Sequence, residues 1–322
     1  MPPSSIAIGL SGRDADMASP VVSVVIPTYN HAQFLRAAIQ SVLDQTFTDW
    51  EAIVVNNYSE DETAEIVASY DDPRIKRVDF HNHGIIAAAR NHGIGLALGE
   101  FVAFLDSDDI WYPDKLKRCI EKLHEGNDVV CHGEAWVKAG RPPRRMYYGP
   151  QRRTSYLSLL YDGNCLSTSA IVVRKTALIQ VDGFSEHPQM VTAEDYELWL
   201  KLAKAGCRIA LVDEILGEYR IHGGNQSKAV MRNLQAELAV LEKHFGEIPR
   251  RGFISWLRRQ RRFALAYYGA GRGMQAEGSH VDALRWFARS WITYPFIARA
   301  YAAILISLLA PIKQAIIVKG IK

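Results

Sequence analysis

The sequence predicts an α/β fold, in which a mostly parallel, helix-covered sheet is followed by an all-helical C-terminal region. Short apolar and β-branched runs alternate with segments of helical periodicity from residue 21 to residue 105, and this alternation is typical of βαβ units. Beyond about Ser227 the strand patterns stop, and amphipathic segments such as Val230–Phe245 follow. A chain of 322 residues is long enough for one large α/β domain with a smaller helical extension.

Four strands are expected in the first third of the chain. Val21–Ile26 is a nearly continuous β-branched run, as expected for a strand that is buried on both faces. The next three strands are predicted at Glu51–Val55, Arg74–Asp79 and Phe101–Leu105. The helical spacing of apolar residues places the intervening helices at His31–Gln45, Asp61–Tyr70 and Gly84–Leu98.

The elements that follow are less regular. Strands are predicted at Asp128–Val137, Ser169–Val173 and Cys207–Val212, and helices at Asp114–Glu125 and Glu194–Ala205. The segment Arg141–Arg153 is rich in Pro, Arg and Tyr and is expected to be an exposed loop. In the C-terminal region, Arg261–Pro295 is predicted to form a helical hairpin with its turn at Glu277–Ser279.

Composition argues against several classes of protein. A net charge of +3 is too small to indicate a nucleic-acid partner, and none is expected. The cysteines are scattered without a C-x-x-C pair, which indicates reduced thiols in a cytoplasmic protein rather than a disulfide framework or a zinc site. Residues 1–19 are rich in Ser, Ala, Gly and Pro and are expected to form a mobile leader.

Polar side chains follow three of the predicted strands. Thr28–Asn30 comes after the first strand, Asn56-Asn57 after the second, and the acidic cluster Asp106–Asp109 after the fourth. Ligands of such sheets gather at the carboxyl ends of the strands, so the three segments are expected to share one pocket. Packed carboxylates repel one another and lose solvation, and a hard divalent cation relieves both costs. An acidic turn that caps a helix is the alternative interpretation of the cluster.

These segments, taken in order with several later ones, resemble the family 2 glycosyltransferases, GT-A-fold enzymes that transfer a sugar from a nucleotide-sugar donor. The matching stretches are Val22–Asn30, Ala89–Gly93, Phe104–Asp109 with Trp111, Pro113 and Lys115-Leu116, then Gly183-Phe184, Glu194–Trp199 and Tyr219–His222. The resemblance implies a Rossmann-like mixed sheet in a GT-A domain over residues 20–226. The helical pattern beyond it predicts a separate helical region over residues 227–322.

The resemblance also implies a role for each matching residue. Donor contacts are implied for Pro27, Thr28, Tyr29, Asn30, Asn56, Asn57, Arg90, Asp106 and Ser107. A divalent cation, Mn²⁺ or Mg²⁺, would be held by Asp106, Asp108 and His222. Asp195 is the implied catalytic base that takes the proton of the acceptor hydroxyl. The secondary candidates are Asp109, Glu194 and Trp111.

Structural alternatives exist for several of these roles. Asp195 at the start of a helix could simply complement the helix dipole, His222 could be a polar core residue, and Arg90 could be an ion-pair partner. Asn56 and Asn57 stand where the family usually has acidic residues, which leaves the base of the donor open, with UDP-sugars as the default. The same departure supports a non-enzymatic alternative, a nucleotide-sugar or glycan binding module on a degenerate transferase fold.

The expected function is that of a metal-dependent, inverting glycosyltransferase, which moves a sugar to a hydroxyl of a glycan or lipid-linked acceptor in cell-surface polysaccharide assembly. The expected location is the cytoplasm, at the inner face of the cell membrane. Arginines cluster with Phe and Trp over residues 250–262, a composition that suits an anionic membrane surface. The alternative is a helical face that covers the catalytic domain or a second subunit of a homodimer.

Overall fold

The computed structural model describes residues 19–223, 229–249 and 252–319, with side chains described as far as Leu309. Nearly all of the expected leader, residues 1–19, lies outside these ranges, as do Arg250 and Arg251 of the basic cluster. Within them the α/β prediction is confirmed. A nine-stranded sheet is covered by helices on both faces, and a helical region follows it.

The sheet is parallel in one half and mixed in the other. Its strands are β1 (Val22–Thr28), β2 (Trp50–Asn56), β3 (Ile75–Asp79), β4 (Phe101–Phe104), β5 (Ile110–Trp111), β6 (Val129–Lys138), β7 (Arg144–Met146), β8 (Ile171–Arg174) and β9 (Ile209–Ile221). They lie in the order β3-β2-β1-β4-β8-β6-β9-β5, and β7 pairs with β6. The strands from β3 to β4 run parallel, whereas β8 is antiparallel to both β4 and β6.

Most helices match the sequence prediction to within a few residues. They are α1 (Ala32–Leu43), α2 (Thr63–Ala68), α3 (Ile86–Leu96), α4 (Lys115–His124), α5 (Tyr156–Asp162), α6 (Lys175–Gln180), α7 (Glu194–Lys204), α8 (Val230–Gly246), α9 (Gly252–Ala276), α10 (His280–Thr293) and α11 (Ala298–Lys319). The predicted helical hairpin is confirmed as α9 and α10, with its turn where the sequence places it.

Several segments differ from the sequence prediction, among them β5 and α6, for which the sequence indicates no element. Residues 141–153 are not simply a loop, because β7 and a one-turn 3-10 helix at Gln151–Arg153 lie within them. The strand expected at residues 207–212 continues to Ile221, since irregularities in the pairing near Gly133 let β9 follow β6 beyond the apolar run. Helix α5 falls in a segment for which the sequence indicates no element.

Strand β1 is the centre of the parallel half, and all seven of its residues are buried. Val24 and Ile26 pack against α1 on one face, whereas Val25 packs against the alanines of α3 on the other, with the side-chain period of two that a strand imposes. In register, Thr28 pairs with Asn56 of β2, and Val25 pairs with the last residue of β4. The polar segments that follow the three strands are therefore neighbours in space.

The C-terminal helices pack on the α/β part through α8 and α9. Lys243 of α8 binds Glu197 of α7 at 2.6 Å, and Arg262 of α9 binds Glu237 of α8 at 2.5 Å. Helices α10 and α11 pack in turn on α9. No helix within the described ranges combines the length and the hydropathy that are needed to cross a membrane.

Gly93 and Gly95 of α3 provide a matched pair of substitutions. A methyl group at Gly93 would lie 2.4 Å from Val25 Cγ1 of the sheet, whereas at Gly95 it would meet no atom within 4 Å. We expect Gly93→Ala to lower the free energy of unfolding by about 1–3 kcal/mol through overpacking. Gly95→Ala should raise it by up to about 1 kcal/mol through helix propensity. Urea denaturation measures both changes, and equal effects of the two substitutions would contradict this packing.

Candidate functional site

A cavity of about 910 Å³ opens at the carboxyl ends of β1, β2 and β4. Eleven of the residues predicted for the site line it, namely Pro27, Thr28, Tyr29, Asn57, Arg90, Asp106, Ser107, Asp108, Asp109, Glu194 and Asp195. Four others are not among its lining residues, namely Asn30, Asn56, Trp111 and His222. The fold thus brings together segments that lie far apart in the sequence.

Arg90 is a buried cation that joins two acidic segments of the cavity wall. From α3, its Nη2 donates to Asp106 Oδ1 at 2.7 Å and its Nη1 donates to Glu194 Oε1 at 2.9 Å. Burial opposes the charge of Arg90, but the two carboxylates outweigh this effect and raise its pKa above the usual value. The ion-pair alternative for Arg90 is therefore present in the structure, and a direct donor contact stays a prediction.

Asp108 lies beside His222, which follows β9. His222 Nε2 and Asp108 Oδ2 are 2.8 Å apart, so one cation could contact both atoms. Within the described ranges, no three His, Cys, Asp or Glu side chains form a complete metal site, so an ion held here would need ligands from elsewhere. Carboxylate oxygens suit Mn²⁺ and Mg²⁺, and phosphate oxygens commonly complete the coordination. The residues present therefore fit a divalent cation that is shared with a phosphate.

Asp109 is a buried carboxyl group that ties the acidic cluster to β9. Its Oδ2 accepts a hydrogen bond from Ser169 Oγ at 2.6 Å, and its Oδ1 accepts one from the backbone N–H of Arg220 at 3.0 Å. Burial raises the pKa of Asp109 well above its usual value, and neighbouring carboxylates add to the shift. These bonds fix β9 against the cluster and so place His222 next to Asp108.

Asp195 lies in the first turn of α7, one residue after the carboxylate that Arg90 binds. Its Oδ1 accepts a hydrogen bond from the N–H of Tyr196 at 2.6 Å, and its Oδ2 has no hydrogen bond within the described part of the chain. Burial and the adjacent charge of Glu194 raise the pKa of Asp195 to about 7. A carboxyl group with this pKa can accept a proton near neutral pH, as a general base must.

The turn that leads into α7 is strained. Thr192 has a φ of +86°, a value that β-branched residues rarely adopt. Its backbone N–H donates to Glu194 Oε2 at 2.7 Å, and this bond holds the conformation. Strain of this kind is typical of functional sites, and here it lies in the cavity wall three residues before Asp195.

The segments that follow β1 and β2 are bonded to each other. Asn30, with a φ of +50°, donates from its backbone N–H to Ser59 Oγ at 2.9 Å and accepts from the N–H of Glu60 at 2.8 Å. Asn56 is buried, and both ends of its amide are bonded within the protein. Its Nδ2 donates to Asp79 Oδ1 at 2.7 Å, and its Oδ1 accepts from the N–H of Ser59 at 3.1 Å. Both residues shape the loops of the pocket, and their donor contacts stay predictions.

Asn57 lines the cavity with an amide whose orientation is fixed. Its Oδ1 accepts from the backbone N–H of Asn82 at 2.9 Å, which identifies the oxygen atom of the amide. Its Nδ2 has no hydrogen-bond partner among the described residues. The group left for a ligand is therefore a donor, whereas an Asp at this position would offer a second acceptor oxygen.

Two aromatic side chains near the acidic cluster, those of His31 and Trp111, differ in their access to the cavity. His31, a residue to which the sequence analysis gives no role, lines the cavity with its Nδ1 2.9 Å from Ser107 Oγ. Only its place directly after the Thr28–Asn30 segment indicates it in the sequence. Trp111 is instead a buried packing residue, and its Nε1 donates to the carbonyl oxygen of Ser169 at 2.7 Å.

The helical region also contributes to the cavity wall. Asn233 and Glu237 of α8 line the cavity, and Arg262 of α9 holds Glu237 while its guanidinium lies 5.8 Å from the ring centroid of Tyr196. Both helices lie beyond the sequence motifs, so no pattern indicates these residues. The predicted boundary near residue 226 therefore does not coincide with an edge of the site.

Known sequences resemble this chain over most of its α/β part. The family model described as Glycosyl transferase family 2 matches residues 23–186, just over half of the chain. The putative teichuronic acid biosynthesis glycosyltransferase TuaG of Bacillus subtilis is 34% identical over 208 residues, which cover 63% of this chain and 79% of TuaG. The UDP-Glc:alpha-D-GlcNAc-diphosphoundecaprenol beta-1,3-glucosyltransferase WfgD of Escherichia coli is 32% identical over 222 residues, which cover 69% and 85%.

Solved structures share the fold over nearly the whole chain. S. aureus TarS 1-349 in complex with UDP-GlcNAc has a TM-score of 0.60 and 22% identity, and the match covers 91% of this chain and 87% of TarS 1-349. Mannosyltransferase PcManGT from Pyrobaculum calidifontis, in complex with GDP-Man and Mn²⁺, has a TM-score of 0.59 and 18% identity, with 94% and 84% covered. The chain is therefore a GT-A-fold glycosyltransferase that belongs to glycosyl transferase family 2.

Proposed function

We propose that the protein is a metal-dependent, inverting glycosyltransferase that transfers a sugar from a UDP-sugar to a hydroxyl of a glycan or lipid-linked acceptor during assembly of a cell-surface polysaccharide. One observation carries the proposal: Asp108, which His222 contacts, and Asp195 line the same cavity, and the Arg90 ion pairs connect the two acidic segments. The names of TuaG and WfgD support the acceptor class, and WfgD and TarS support the UDP donor.

The diphosphate of the donor is proposed to lie at the acidic cluster. Asp108 and His222 would hold a divalent cation whose remaining ligands come from the donor, and the cation would stabilise the leaving diphosphate as a Lewis acid. The Mn²⁺ in the mannosyltransferase structure supports a cation of this kind. The chain's own contribution is to fix the acidic cluster, because Arg90 binds Asp106 and His31 binds the intervening Ser107.

Asp195 is proposed to deprotonate the acceptor hydroxyl. Glu194 is unsuited to this role because both of its oxygens are engaged, one by Arg90 and the other by the N–H of Thr192. Asp195 keeps one oxygen clear of hydrogen bonds within the described residues and has a pKa of about 7. One general base, separate from the carboxylates at the leaving group, suits a single in-line displacement with inversion.

The acceptor is proposed to approach along the α8 side of the cavity. Asn233 and Glu237 of α8 offer hydrogen-bonding groups there, and polar groups of this kind suit sugar hydroxyls. A cytoplasmic location is also proposed, and it is supported by four free cysteines, of which Cys119, Cys131 and Cys165 are buried.

Asp108→Ala tests the proposal as a whole. With Mn²⁺ and a panel of nucleotide sugars, the purified protein should release a nucleoside diphosphate from at least one donor, and chelation should abolish the release. The substitution should lower turnover by at least about a hundredfold, since one transition-state contact of this type contributes that much. Glu125→Ala removes an exposed carboxylate at the end of α4 and should leave turnover unchanged.

Retained activity in Asp108→Ala would contradict the metal assignment. A wild-type protein that binds a nucleotide sugar but never turns over any donor of the panel, with or without acceptor, would favour the binding-module alternative.

Asp195→Asn separates catalysis from donor binding. We expect turnover to fall by about 10²- to 10⁴-fold, the usual contribution of a general base, while the Kd of the donor stays within a few-fold of wild type. In the wild type, kcat should decline as pH falls through about 7, because the carboxyl with that pKa becomes protonated. Initial rates across pH and calorimetric titration of UDP measure both effects. Loss of UDP binding in Asp195→Asn would instead indicate a structural role.

Asn57→Asp tests how the base of the donor is read. In the variant, one carboxylate oxygen can keep the bond from Asn82 N–H, and the other can accept from the ring N3–H of uracil with charge assistance. We expect the Kd of UDP to fall by about tenfold or more. The Kd of CDP should rise, since cytosine N3 is an acceptor. Unchanged affinities for both nucleotides would show that residue 57 does not contact the base.

A further inference from the structure

Six large apolar side chains are exposed at one end of the C-terminal helices. They are Phe253, Ile254 and Trp256 of α9, Trp291 and Ile292 of α10, and Phe296 before α11, with exposures from 48% to 76%. We call this surface the apolar end. Exposing this much apolar side-chain surface to water costs free energy. Contiguous patches of exposed apolar side chains mark interaction sites.

Helix packing brings the six side chains together. Helices α9 and α10 are antiparallel, and the start of α9 and the end of α10 line one cavity through Trp256, Arg259, Arg289 and Thr293. The start of α11 reaches the same region, because Ile297 packs with Ala264 in one small core. The first turns of α9 and α11 and the last turn of α10 therefore share one end of the bundle. The exposed leucines of α11 at 305, 308 and 309 lie farther along that helix, where Ser307 bonds Gln275 near the other end of α9.

The charge of this region is strongly one-sided. Residues 248–322 contain thirteen Arg and Lys residues but two acidic residues, a net charge of +11 in a chain whose total is +3. The two acids, Glu277 and Asp282, lie at the α9–α10 turn, at the opposite end of α9 from the apolar end. Exposed arginines at 258, 261, 289 and 299 lie nearer the apolar end.

The inner side of the bundle is already engaged with the α/β part. Arg258 lies over the ring of Tyr161 at 4.2 Å, and Arg261 binds Asp162 of α5 at 3.4 Å. Ser255 lies within hydrogen-bond distance of Tyr161 at 3.3 Å. These contacts orient α9, so the exposure of Phe253 and Ile254 is a consequence of how the bundle is docked.

We propose that the apolar end docks on an anionic lipid bilayer. Phe, Trp and Ile side chains would enter the headgroup region, and the surrounding arginines would contact lipid phosphates, the arrangement that interfacial helices use. A second copy of the chain fits less well, because a two-fold interface places the same basic surface on both subunits, and the cores of such interfaces are depleted of charge. The inference does not depend on the proposed transfer chemistry.

Vesicle co-sedimentation of the full chain tests the docking surface. At low salt, the protein should sediment with vesicles of phosphatidylcholine and phosphatidylglycerol, release at raised salt, and stay in solution with phosphatidylcholine alone. A triple variant, Phe253→Ser with Trp291→Ser and Phe296→Ser, should lose at least about tenfold in binding. Arg289→Gln and Arg299→Gln, at exposed arginines outside the contacts with the α/β part, should each lose about fivefold.

The matched control is a second triple variant in which Leu98, Leu157 and Ile179 are changed to Ser. These side chains are 51% to 59% exposed on other surfaces, and the variant should bind anionic vesicles like wild type. Circular dichroism and thermal unfolding show that each variant is folded. The proposal is overturned if the first triple variant binds like wild type or if wild type ignores anionic vesicles. A dimer in light scattering that the first triple variant abolishes would assign the surface to a second copy.

Discussion

The site depends on the buried Arg90 guanidinium, which holds two carboxylates that are 88 residues apart in the sequence, Asp106 and Glu194. Removing one partner of a buried ion pair typically lowers the free energy of unfolding by about 3–5 kcal/mol, because the remaining charge stays buried without compensation. The acidic cluster after β4 and the first turn of α7 are therefore fixed relative to each other. In the proposed in-line displacement, this constraint would hold the leaving group and the acceptor on opposite sides of the anomeric carbon.

Glu194 and Asp195, adjacent in α7, have different environments because their hydrogen-bond partners differ. Glu194 is bonded at both oxygens, so its charge is compensated and it positions Arg90 and the strained Thr192. Asp195 receives one backbone N–H, while burial and the charge of Glu194 raise its pKa to about 7. The charge of Glu194 thus makes Asp195 more basic, and in the proposed mechanism the sequence Glu-Asp would supply a positioning group and a general base within one helical turn.

The α/β order and the strand-end segments could be predicted from the sequence, because buried parallel strands are apolar and their polar ends are conspicuous. Arg90, Glu194 and Asp195, which lie on helices, were indicated only by the family resemblance. Side-chain direction could not be predicted. Asn56 and Asn57 are adjacent, yet one bonds Asp79 beneath the loop while the other lines the cavity. The contribution of α8 to the cavity wall could not be predicted either. The sequence of an amphipathic helix shows which face is apolar but not which part of the protein that face packs against.

The division of charge along the chain links the helical region to the rest of the molecule. With +11 over residues 248–322 and +3 in total, residues 1–247 carry a net −8. An anionic surface therefore attracts the helical end and repels the α/β part, and both effects rotate the molecule in the same sense. Because α8 and α9 are ion-paired to each other and α8 to α7, this rotation also sets the direction of the cavity wall that Glu237 forms. Orientation toward a surface and one wall of the cavity thus rest on the same pair of helices.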